Sequence, residues 1–299
     1  MRVSVLNTPE EVSPEVIGRV CSDVEQALNS LRTVGDKFIV NDSLFYWRNP
    51  SGQMRPSVVN NAKYISGTFQ NALVRLGWRK EETIADQKID AYVELPVTGT
   101  AYSIPVEQFP DRSSEYLKRR YPSVAEVPLD TEYVRLYQEY VVRTKYRVSH
   151  LPERVREVFT ETPIHSPLRV GLEFEVGNIA SSFRAINKLD ELFRLGRIDL
   201  GVLVTSIDKS SSAARIWPIS NRNGSFEELR RRGYQNHRIA PSVDIGFAPD
   251  GFDKTVGFLG KDLSLYYLRP TGREITVKGV TYREFDGPEG LRYQRVDEI

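Results

Sequence analysis

The chain has 299 residues, with 41 Lys+Arg against 40 Asp+Glu and a formal net charge of +1, so bulk charge does not announce a nucleic-acid partner and any such role must show in local clusters. A hydrophobic fraction of 40% with 27% charged residues argues against a disordered chain, and no apolar run approaches the ~20 residues of a membrane helix. Cys21 is the only cysteine, which excludes an internal disulfide and a thiolate zinc cluster; together with an N-terminus lacking an apolar signal core, it leads us to expect a cytoplasmic protein.

In chain order, "SPEVIGRVCSDVEQALNSL" (13–31) predicts a helix. Ser13 is placed as N-cap and Pro14 at the first turn, and Val16, Ile17, Val20, Val24, Ala27, Leu28 and Leu31 form one apolar face. "KFIVNDSLFYWR" reads as a strand or hairpin, and a polar loop with Pro and Gly follows it. "VVNNAKYISGTFQNALVRLGW" predicts a second helix that stops near Gly77.

"DQKIDAYVEL" predicts a strand in which Ile89, Ala91, Val93 and Leu95 alternate against Asp90, Tyr92 and Glu94. After Pro96 the chain becomes rich in Tyr, Arg and Pro, and residues 97–168 read as a large inserted helical subdomain.

"VGLEFEVGN" (170–178) follows as a strand, then "SSFRAINKLDELFRLG" as a helix with Phe183, Ile186, Leu189, Leu192 and Phe193 on its apolar face. "IDLGVLVTSI" predicts a strand buried on both faces. "SFEELRRRG" opens on a capping box, Ser225 with Glu228. "SVDIGF", "TVGFLG", "LSLYYL" and "EITVKGV" are further strands. Strands alternate with helices through the middle of the chain. The fold class is therefore α/β, a central mixed β-sheet flanked by helices in a single domain over 1–299.

Glu173 and Glu175 are the sharpest chemical feature. At i and i+2 of a strand they share one face, where they repel each other and resist burial. Spacing alone is more often that of the solvated face of an edge strand. The flanks argue otherwise: Val170, Leu172, Phe174 and Val176 make the opposite face apolar, and Gly177-Asn178 leads straight into a helix. An oxygen-rich strand face is what a hard divalent cation such as Mg²⁺ requires. Asp90 is the natural third acid.

"KID", followed by "VGLEFEVGNIASSFRAINKLDELFRLGRIDLGVLV", resembles type II restriction endonucleases of the BamHI/BglII kind, within the PD-(D/E)XK nuclease superfamily. "FQNALVRLGWRKEETI" is similar to the helix that precedes the acid strand in that group. The resemblance covers about residues 58 to 95 and 168 to 260. It implies a restriction-endonuclease-like fold with Asp90, Glu173 and Glu175 as catalytic residues. Asp90, Glu173 and the backbone carbonyl of Phe174 would hold Mg²⁺. Glu175, in the place usually held by lysine, would orient or deprotonate water, and Asn71, or Gln70 beside it, would support the site. Asp90 and Glu173 stand more than 80 positions apart, further than in the family. The inserted subdomain between the first two catalytic-core strands accounts for that distance, since loop closure costs rise slowly with length. Glu161 is the rival first acid, but "ETPIHSP" reads as a turn.

Two basic clusters stand out, one around Arg112, Lys118, Arg119 and Arg120, the other around Arg230, Arg231, Arg232 and Asn236. Such residues contact phosphates and base edges, though clustered charge is also the ordinary composition of a solvated helix face. His150, His165 and His237 lack zinc-helix spacing, and no phosphate-binding G-x-x-x-x-G-K-[ST] loop is present. The resemblance implies double-stranded DNA as substrate, a homodimer, and a cognate DNA methyltransferase as functional partner. Rival expectations are a structure-selective or repair nuclease on the same fold, and a DNA-binding protein without catalysis.

Overall fold

The computed structural model of the protein describes residues 1–9, 12–103, 160–207, 216–217, 219, 223–234 and 238–298. Its centre is a six-stranded mixed sheet. In chain order the strands are β1 (Arg2–Asn7), β2 (Arg79–Lys80), β3 (Ala91–Ser103), β4 (Thr160–Glu175), β5 (Leu200–Ser206) and β6 (Ser242–Ala248), and they lie side by side as β1-β6-β5-β4-β3-β2. Strand β5 runs parallel to both β4 and β6, and the other pairings are antiparallel.

Helices α1 (Pro14–Leu28) and α2 (Ala62–Arg75) cover one face. Ser13 caps α1 by accepting from Val16 N, and Asn61 caps α2 by accepting from Lys63 N. The predicted apolar stripe of α1 is buried from Val16 to Leu31, apart from the partly buried Ile17. It packs with Ile65, Phe69 and Leu73 of α2 onto Val170, Leu172 and Phe174 of β4, Val202 and Val204 of β5, and Ile245 and Phe247 of β6. Gly77, at φ 93°, ends the second helical segment where a side chain would be strained.

The opposite face carries α3 (Ile179–Arg194) and the short α4 (Phe226–Arg231). Ala185 and Ile186 of α3 meet Leu203 and Leu229, while Leu189, Leu192 and Phe193 meet Ile89, Tyr92 and Ile198. Phe183 departs from the expected apolar face. It is 40% exposed and packs its ring against Tyr234. All seven residues of β5 are buried, as expected of a central parallel strand. The buried Asp199 just before it accepts from Arg169 through Nε at 3.0 Å, Nη2 at 3.1 Å and the backbone N at 3.0 Å, which ties β5 to β4.

Three boundaries differ from those read in the sequence. The strand expected from Asp86 begins at Ala91, because Ala85 and Asp86 turn at φ 48° and 63° into a small hairpin pairing Thr83–Ile84 with Gln87–Lys88. The chain then bends at Ile89–Asp90, so Ile89 packs on the α3 side with Tyr92 rather than beside Ala91.

Residues 97–103 and 160–168 are not helical. They pair without interruption from Val97↔Ser166 to Ser103↔Thr160. "ETPIHSP", expected as a turn, is therefore strand. Among the described residues this half of β4 pairs only with β3, since β5 reaches Val170 to Glu175, so the missing N–H groups of Pro163 and Pro167 break no ladder with β5. The interposed segment narrows to residues 104–159. The helices expected within it, and Arg112, Lys118, Arg119 and Arg120, lie outside the described residues.

The third difference is a second, five-stranded antiparallel sheet. It joins Arg269–Val277, Val280–Asp286, Arg292–Arg295, Phe45–Arg48 and Met54–Ser57 in that order. Phe45 anchors it by edge contacts with Phe258 and Phe285, at ring distances of 5.7 and 5.3 Å.

Candidate active site

The alternation of β4 decides which residues face which layer. Leu172 and Phe174 point into the α1/α2 core, whereas Glu173 lies on the α3 side, where Lys188 of α3 meets it. Glu175, two residues on, shares that face. The β3–β4 register sets Ala91 against Leu172, so Asp90, one residue before the strand, comes level with Glu173. Its Oδ2 accepts from the backbone N of Phe174 at 2.8 Å, continuing the ladder with a side chain, and its Oδ1 accepts from Gln70 Nε2 at 3.1 Å. Residues some 84 positions apart in sequence are thus hydrogen-bonded neighbours.

Glu173 is 3% exposed. Its Oε1 accepts from Lys188 Nζ at 2.7 Å, and the same ammonium donates to the carbonyl of Lys88 at 2.7 Å. Burial pushes the Glu173 carboxyl up to about 7, the charge of Asp90 adds to the rise, and Lys188 opposes it. Glu175 is also raised to about 7, first by burial and then by Asp90, against Lys188 and Arg184. Asp90 itself is raised by burial, although the Phe174 N–H favours its ionised form. The three carboxylates therefore act on one another electrostatically at one end of the sheet, in an environment that disfavours their charge. That combination is typical of a site whose purpose is chemistry rather than stability.

Among the described residues no group of three or more His, Cys, Asp or Glu side chains is drawn together tightly enough to enclose a metal ion. A caged structural metal is not what this donor set suits. Mg²⁺, in contrast, commonly uses one or two carboxylates and completes its octahedron with water and substrate oxygens. Hard oxygen donors that raise each other's pKa fit such an ion, because a cation offsets their mutual repulsion.

The other residues singled out in the sequence fall elsewhere. Glu161 pairs with Tyr102, eleven ladder steps from the Ala91↔Leu172 pair, which puts its backbone roughly 40 Å from the acid cluster at the usual rise per residue. Asn71 does not touch the acids. Its Oδ1 accepts from Lys80 Nζ at 3.0 Å on the surface, and its neighbour Gln70 is the residue that reaches Asp90.

Arg230, Arg231 and Arg232 are exposed, but Arg231 and Arg232 both bind Glu228 Oε1, at 2.7 Å each, and hold its carboxyl down at about 2. The capping box is therefore half formed: Ser225 Oγ accepts from Glu228 N at 3.3 Å, while the Glu228 carboxylate serves these arginines. Asn236 lies outside the described residues. Lys188 was not singled out in the sequence. The available signal was a lysine three residues after Ala185 and four before Leu192, both on the inward face of α3.

Comparison with known proteins agrees with this geometry. The sequence model of the restriction endonuclease BamHI family matches residues 1–243. The type II restriction enzyme BamHI of Bacillus amyloliquefaciens is 32% identical over 106 residues, which are 35% of this chain and 47% of that enzyme. The chain thus aligns with about half the length of this relative. No helix among the described residues is long and apolar enough to cross a membrane. With a family match over most of its length, a mixed sheet of the restriction-endonuclease kind and three acids gathered at one end of that sheet, the chain belongs to the BamHI restriction endonuclease family.

Proposed function

We propose that the protein is a type II restriction endonuclease that hydrolyses phosphodiester bonds at a specific sequence in double-stranded DNA, with Mg²⁺ as cofactor. The observation that carries this is the convergence of Asp90, Glu173 and Glu175, with Glu173 and Glu175 both raised to about 7. Asp90 and Glu173, with the backbone carbonyl of Phe174, would hold the ion. When bound, Mg²⁺ stabilises negative charge on the phosphoryl oxygens.

The chain's own residues do the rest. Glu175 is only half-buried, and as a carboxylate it takes a proton from the attacking water while the new P–O bond forms and the opposite P–O bond to the sugar breaks, the departing sugar oxygen taking a proton from solvent water. Gln70 and the Phe174 N–H fix the rotamer of Asp90 by occupying one lone pair on each of its oxygens. A homodimer fits this activity, since each site cuts one strand of a palindrome. A cognate DNA methyltransferase would be its functional partner in a cytoplasm whose own DNA needs protection. The exposed Arg230 is available for phosphate contact, and Arg231 and Arg232 are too once DNA competes for them with Glu228.

Digestion of a plasmid of known sequence in Mg²⁺ tests this directly. Discrete fragments that disappear with Glu173→Ala are the expected result. A smear would favour a nuclease without a fixed recognition sequence. DNA binding with no cleavage in either Mg²⁺ or Mn²⁺ would leave a binding protein.

A further inference from the structure

Lys188 has no assigned role, yet it makes two of the shorter side-chain contacts at the acid cluster. Its Nζ donates at 2.7 Å to Glu173 Oε1 and at 2.7 Å to the carbonyl of Lys88, two residues before Asp90. One ammonium therefore ties the segment entering β3 to the central acid of β4. The stem is three-quarters covered, and α3 cannot easily roll it away. Leu189 and Leu192 are buried beneath the helix, and Asp190 accepts from Ile239 N at 3.2 Å and Ala240 N at 2.9 Å.

We propose that Lys188 is a positioning residue of the metal site: its ammonium is a resident counter-cation that holds Asp90 and Glu173 assembled in the metal-free protein and competes with the divalent cation for them. The inference rests on the metal-site reading above. Three carboxylates left without a cation would repel one another, and one fixed positive charge reduces that repulsion. The same charge must then oppose a second cation brought to the same oxygens. At a partly buried site, one unit charge a few ångströms away is worth enough to change affinity several-fold. Lys188 thus sets a balance between assembly of the empty site and its affinity for metal.

The test compares the full-length wild type with Lys188→Met and Lys188→Arg. Mn²⁺ affinity is measured by calorimetry after EDTA treatment and dialysis, and melting temperature is measured in EDTA. We expect Lys188→Met to bind Mn²⁺ at least fivefold more tightly while melting several degrees lower in EDTA. Lys188→Arg, which keeps the charge, should stay within twofold of wild type in affinity.

A purely structural lysine would lower the melting temperature without tightening Mn²⁺ binding. Unchanged or weaker binding by Lys188→Met overturns the proposal. Should Lys188→Met not fold, Lys188→Gln gives the same readout with an uncharged amide N–H donor left for the Glu173 and Lys88 oxygens. Glu173→Ala separates the two levels of inference: if it binds Mn²⁺ as wild type does, the metal-site reading itself fails. If Glu173→Ala loses binding and Lys188→Met is unaltered, only the role of Lys188 fails.

Discussion

Replacing Glu173 by Gln removes the charge of the most buried of the three clustered acids and keeps its shape. The consequence for stability follows from the carboxyl's pKa of about 7 in the folded protein against an ordinary 4.5. Because the folded pKa is the higher one, the native state binds more protons than the unfolded chain between pH 4.5 and 7. Wild-type stability from this group is therefore fully present below pH 4.5 and is lost as pH rises through 7. A shift of that size corresponds to at most about 3 kcal/mol at pH 8, and coupling to Asp90 and Glu175 makes about 1–3 kcal/mol the realistic range. Gln mimics the protonated acid, and Lys188 keeps an amide oxygen and the Lys88 carbonyl as acceptors. Urea unfolding in EDTA should thus show Glu173→Gln more stable than wild type at pH 8, with the gain vanishing by pH 4.5, and with no stabilisation by Mg²⁺. A variant less stable than wild type at pH 8, or a gain equal at both pH values, would refute the argument that burial of an ionised Glu173 opposes folding.

Asp90→Ala should reduce cleavage by a hundredfold or more, whereas Glu161→Ala, roughly 40 Å along the ladder, should leave the cleavage rate within twofold in the same plasmid assay. Asp244→Ala should lower stability by about 3 kcal/mol in thermal unfolding. Asp244 is 1% exposed and pairs with Arg238 Nη1, while the buried Arg238 Nε and Nη2 have no hydrogen-bond partner among the described residues, so the variant strands a buried charge. Replacing the pair together, Asp244→Leu with Arg238→Met, should recover most of that loss.

Much of the site was legible because it depends on local periodicity. The apolar flanks of "VGLEFEVGN" fixed which face Glu173 takes, and the Gly177-Asn178 joint correctly led into α3. The order of acid strand, helix and buried "IDLGV" strand gave the sheet core. What escaped depended on tertiary contact. Gln70 and Asn71 are adjacent on α2, and only the docking angle of that helix chooses Gln70 for Asp90. Lys188 looks like any lysine on an amphipathic helix until α3 is laid across the Lys88 carbonyl. The proline-containing "ETPIHSP" follows turn statistics in sequence. It becomes strand because a two-stranded ladder asks nothing of one side of its backbone. The second sheet pairs Tyr46 with Tyr293, a partnership between distant ends of the chain that no local pattern encodes.

The β3–β4 ladder runs for thirteen consecutive pairs, with the acids at one end and the interposed residues entering and leaving at Ser103 and Thr160 at the other. Mechanically, this is an insulating stem. Whatever length or sequence replaces 104–159, the closure of that segment is imposed about 40 Å from the reacting groups, and every intervening pair must slip before Asp90 loses its level with Glu173. The ladder therefore fixes where residues 104–159 leave and rejoin the sheet, at the end away from the acids.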